Sequence, residues 1–140
     1  MSEIGMILDR IGRSLVADVV PHLEGHYAGG QAMLTGIMTV MAGEAWDGAA
    51  DRLHREIEAM RAVLREGGVA ADETAASLRL SDLEPTRNRF AERLITLQTR
   101  LETSTDPADF ALNTRIWGLL LAGAAERMPT PPEFPETEPD

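Results

Sequence analysis

Apolar positions recur along most of the chain at steps of three and four, the period of a helix that buries one face. Ile4, Ile7, Leu8, Ile11, Leu15 and Val19 set a first helix, with Ser2 placed to cap it and Glu3 to favour its positive end. Pro21 allows either a break or a bend after it, and we lean towards a nearly continuous element kinked there, whose second limb runs from about His22 to Gly43. Glu44 to Gly48 then reads as a short connection with Asp47 as the next cap. Trp46, Ala50, Leu53, Ile57, Met60 and Leu64 mark helix three, which Gly67-Gly68 stops.

Val69 to Leu80 is small and polar with weak periodicity, which predicts a mobile crossover loop. Ser81-Asp82-Leu83-Glu84 fits a capping box, and Leu83, Phe90, Leu94, Leu97 and Leu101 form the seam of helix four. Arg89, Arg93 and Arg100 share one side of that helix, a stripe we expect to be paired or solvated rather than to grip an acidic ligand. Asp106-Pro107 opens helix five, which continues through Phe110, Ile116, Trp117, Leu120, Leu121 and Ala124. The pattern therefore predicts an all-α bundle of four to five helices. It places a single domain over residues 1–128 and a disordered acidic, Pro-rich tail over 129–140, where five prolines and four acids exclude a core role.

Helix two departs from the amphipathic pattern. From Tyr27 to Gly43 it runs seventeen residues without a charge. Gly25, Gly29, Ala32, Gly36, Thr39 and Gly43 line one narrow side, and Leu23, Tyr27, Leu34, Ile37, Met38 and Met41 the other. A rod with bare backbone on one side and large apolar groups on the other should be buried nearly all round. One short domain has too few other helices to cover it, so we expect Gly25, Gly29, Ala32, Gly36 and Gly43 to form an interface. Either an internal neighbour or, by preference, a second copy in a twofold dimer would meet them.

Composition narrows the function classes. The 140 residues carry 13 basic and 23 acidic side chains, a net charge of −10, which repels phosphate backbones and anionic headgroups, so neither nucleic acid nor a membrane surface is an expected partner. Every basic residue is Arg, which a GC-rich bacterial genome accounts for as well as any chemistry does. Without cysteine there is no disulfide, thiolate nucleophile or iron–sulfur site, and without a basic, apolar leader a cytoplasmic location is expected. The uncharged stretch falls short of the roughly 20 apolar residues a bilayer span needs.

Three constellations hold candidate chemistry. His22 and His26, four apart on one predicted helix, could share a divalent metal with Glu66, which an antiparallel fold-back of helices two and three would bring beside them. The same register leaves His54 about 15 Å along the axis from His26, too far for a three-histidine site. Met33, Met38, Met41 and Met60 could line a pliable pocket for a small apolar ligand, although methionine at helical spacing more often fills a core. Serine and threonine lack a neighbouring His and acid to activate them, and Gly29-Gly30 follows no strand, so nucleophilic and phosphate-cradling chemistry are not expected. The sequence thus favours a non-enzymatic self-association or accessory role that needs no cofactor and leaves room for an unidentified protein partner. A metal-dependent helical protein and a ligand carrier are the alternatives.

Overall fold

The computed structural model describes residues 1–134, and among them every regular element is helical. Five α-helices, α1 (Glu3–Ser14), α2 (Tyr27–Asp47), α3 (Ala49–Glu66), α4 (Leu80–Glu102) and α5 (Pro107–Glu126), make the protein all-α. Among the described residues no helix is long and apolar enough to cross a membrane. The chain divides into two compact units, residues 1–48 with 129–140, and residues 49–128. The expected tail is irregular over 129–134, where Thr130 donates to Glu44 Oε1 and the Glu133 carbonyl accepts from Arg13; the rest of it lies outside the described residues.

The first unit is a helical hairpin. Ser2 caps α1 as its sequence predicts, its Oγ accepting from the Gly5 amide at 3.2 Å. The single bent rod across Pro21 is not formed. Pro21 has no amide to offer Ala17, and the backbone passes through a π turn (Leu15–Val19) and a 3-10 turn (Val20–Leu23). It then reverses at Gly25, whose φ of +79° only glycine adopts without strain. The reversal lays α2 back along α1. Gly12 meets Gly36 and Gly5 meets Gly43 so closely that a Cβ built on Gly12 would stand 2.5 Å from the Gly36 carbonyl oxygen. Two bare backbones thus close on each other with Leu8, Val16 and Val40 packed beside the glycines, while Ile4, Ile7, Ile11, Leu34, Met38 and Trp46 stay exposed.

Helix α2 also runs four residues further than its pattern suggests, taking in Trp46 and Asp47, so that Gly48 alone connects it to α3. At the open end of the hairpin the Ser2 amide donates to Asp47 and holds that carboxyl below the usual carboxylate range.

The second unit owns the hydrophobic core. Ile57, Met60 and Leu64 of α3 and Ile116 and Leu112 of α5 enclose the α4 seam of Leu83, Phe90, Leu94, Leu97 and Leu101. Helix α3 ends in a turn in which Val69 N–H bonds the Leu64 carbonyl at 2.8 Å across Gly68, which has φ +73°. The capping box expected at Ser81 is not used. Helix α4 starts two residues earlier, with Arg79 at its N-cap, because Ser77 Oγ already accepts the Arg79 amide and donates to Asp82. Asp106 caps α5 as expected, accepting from Ala108 N at 2.8 Å ahead of Pro107. Its apolar face is only partly used, for Phe110, Trp117 and Leu121 stay exposed.

The crossover between α3 and α4 is strapped rather than loose. Arg61 donates to the carbonyls of Ala71 and Glu73, Arg93 to that of Ala70, and Arg100 to that of Gly67. The Glu73 carboxylate pairs with both Arg89 and Arg93. The arginine stripe of α4 is therefore spent on its own chain, while Arg61 and Arg93 also flank the buried Phe90 ring at 5.4 and 5.6 Å.

Candidate functional site

The candidate metal ligands occupy different settings. His22 lies in the 3-10 turn with Nδ1 2.8 Å from the Asp18 carbonyl oxygen, and His26 is the extended N-cap residue of α2. Because the chain leaves helical geometry between them, they do not project from consecutive turns of one helix. Glu66, in the other unit, pairs with Arg115 at the end of α3. Among the described residues no group of three or more His, Cys, Asp or Glu is arranged to hold a metal ion. Of the methionines, Met33, Met38 and Met41 lie on α2, whereas Met60 is 1 % exposed in the core of the second unit.

The small-residue side of α2 finds its neighbour in α1. Gly36 and Gly43 are buried against it, Gly29 closes on the Leu23 carbonyl, Ala32 is half-buried and Gly25 forms the open turn. What remains available is the opposite side. Among the large apolar residues of the hairpin only Val40 is buried, while Ile4, Ile7 and Ile11 on α1 and Leu34, Met38 and Trp46 on α2 are 47–60 % exposed. The pattern of large and small positions could have shown this, had α1 been recognised as carrying its own glycines at 5 and 12.

A second candidate lies within the other unit, between α3 and α5. Ala59 of α3 and Ala122 and Gly123 of α5 are too small to fill the space between their helices, and leave an open-sided hollow of about 330 Å³ that Leu119 also lines. Its rim is charged. Arg55 bridges Glu126 at 3.2 Å and Asp51 at 3.0 Å, two anions that hold its guanidinium more firmly protonated. Glu56 is 8 % exposed. Its Oε2 takes Arg87 Nε at 3.1 Å and a guanidinium N–H of Arg127, whereas its Oε1 is buried without a hydrogen-bond partner among the described residues. Sequence spacing gave no sign of this arrangement, because its parts come from helices some sixty residues apart.

Comparison with protein-family models, with curated proteins and with solved structures finds no match. The chemistry of the two surfaces is therefore the basis for any functional reading.

Proposed function

We propose that this protein is a non-enzymatic self-association module in which two copies cover each other's N-terminal hairpins. The observation that carries this reading is that, among the described residues of the first unit, Val40 is the one large apolar side chain that is buried. Two helices joined by glycine contacts gain little from burial, and α1, at 12 residues, is of a length that is marginal on its own in water. Something has to cover the outside.

The uncharged run of α2 and the exposed area favour a second copy as that cover. A net charge of −10 opposes association of like molecules, and it does so least where local charge is missing, as on α2 from Tyr27 to Gly43. Six half-exposed side chains, Ile4, Ile7, Ile11, Leu34, Met38 and Trp46, leave on the order of 100 Å² each, or roughly 600 Å² per copy. With their neighbours this approaches the ~800 Å² per partner of a standard interface. A twofold contact matches apolar to apolar and requires no complementary charge.

Light scattering on the full chain tests the proposal. The wild type should run as a dimer at micromolar concentration, and the pair Leu34→Asp with Met38→Asp should run as a monomer that keeps the cooperative melt of the second unit. A monomeric wild type, or a double variant that still dimerises, would overturn the assignment of this face to a second copy.

A further inference from the structure

We infer that the hollow between α3 and α5 is a binding site for a small molecule that carries a primary ammonium group on an apolar or aromatic body. The inference is independent of self-association, since every lining residue belongs to the second unit.

The floor and the rim ask for different parts of one ligand. Ala59, Leu119, Ala122 and Gly123 make the floor apolar, and its volume of about 330 Å³ sits at the small end of the ligand-pocket range of about 300–1,000 Å³. A group the size of a phenyl ring or short alkyl chain fits such a space. Beneath the rim lies a buried carboxylate oxygen, Glu56 Oε1, that no group among the described residues satisfies. A buried acceptor left bare is costly, and the cost rises when the group is charged, so a donor arriving from outside gains more there than at a surface carboxylate. A charge-assisted N–H is the strongest donor available to it.

Access and selectivity follow from the same residues. The oxygen lies beside Gly123, where a built Cβ would stand 3.7 Å from Glu56 Oε1 and 3.7 Å from the Arg127 guanidinium. The Arg127 arm is 42 % exposed and reaches Glu56 from the end of α5, so it can swing outward and admit a donor without disturbing the helices. Glu126 stands on the same rim, bridged by Arg55 at 3.2 Å, so the carboxylate oxygen without a partner is that of Glu56. Across the whole molecule the charge of −10 enriches cations near the surface and depletes anions.

Phenethylammonium is a suitable probe, with phenylacetate as its anionic counterpart, each titrated into the full chain and followed by amide chemical shifts. Saturable shifts at Ala59, Ala122 and Gly123 with a Kd of about 1 mM or tighter are expected for the amine, and none for the carboxylate. Gly123→Leu places a side chain in the hollow with ordinary contact at its Cβ and should abolish binding while keeping or raising the melting temperature. Glu56→Gln, which retains the shape and removes the charge, should weaken the amine about tenfold or more. Absence of saturation at about 10 mM amine, equal binding of phenylacetate, or binding that survives Gly123→Leu would overturn the inference.

Discussion

Glycine has two opposite meanings within one helix of this protein. At Gly36 an added Cβ would stand 2.6 Å from Val16 Cγ2 and 2.8 Å from the Gly12 carbonyl oxygen, and the carbonyl belongs to a backbone that cannot step aside alone. At Gly30, on the same helix, nothing lies within 4 Å. Alanine gains up to about 1 kcal/mol over glycine inside a helix, whereas overpacking costs about 1–3 kcal/mol. Gly30→Ala should therefore stabilise the hairpin and Gly36→Ala should destabilise it, with opposite shifts in urea melts followed by circular dichroism. Shifts of the same sign would mean that α1 and α2 do not meet through their glycines. Sequence periodicity already sets Gly36 on the small-residue face and Gly30 off it; what it leaves open is which neighbour meets that face, and Gly12 answers.

Among the elements, the crossover after α3 shows how charge can do what apolar burial does elsewhere. Glu73 is the one carboxylate in that stretch bound by two arginines of α4, and Ala71 is fully buried beneath it. Glu73→Ala should speed amide exchange and limited proteolysis across residues 69–79 and lower global stability by no more than about 1 kcal/mol, since each pair is partly solvated. Unchanged exchange there would show that the backbone bonds of Arg61 and Arg93 suffice.

The same elements mark the limits of sequence reading. The α4 seam was legible because Leu83, Phe90, Leu94, Leu97 and Leu101 alternate cleanly with charge. Helix α5 was less so, for it is apolar nearly all round, and periodicity cannot say which side of such a helix is covered. Trp46 was assigned to helix three because its spacing to Ala50 and Leu53 fits. Only the tight passage at Gly48 shows that it ends α2 instead. The hollow at Glu56 left no mark in the pattern, since an unfilled space is made by small residues meeting across helices that are distant in sequence.

At the scale of the whole molecule, apolar residues are divided unevenly between the units. The second unit keeps a core of leucines around Phe90, and the first leaves many of its large side chains exposed. The hairpin carries glycine at 29, 30, 36 and 43 within α2, each of which gives away up to about 1 kcal/mol of helix propensity against alanine. Its helices thus depend on whatever covers them, and if that cover is another molecule, folding of the first 48 residues becomes concentration-dependent. Far-ultraviolet ellipticity should decline as the sample is thinned through the dissociation midpoint, while the signal from α3, α4 and α5 persists; an ellipticity indifferent to dilution would place the hairpin's support within its own chain. Were a second copy the cover, a backbone zipped through glycine in this way would make secondary structure itself a reporter of how many copies are nearby.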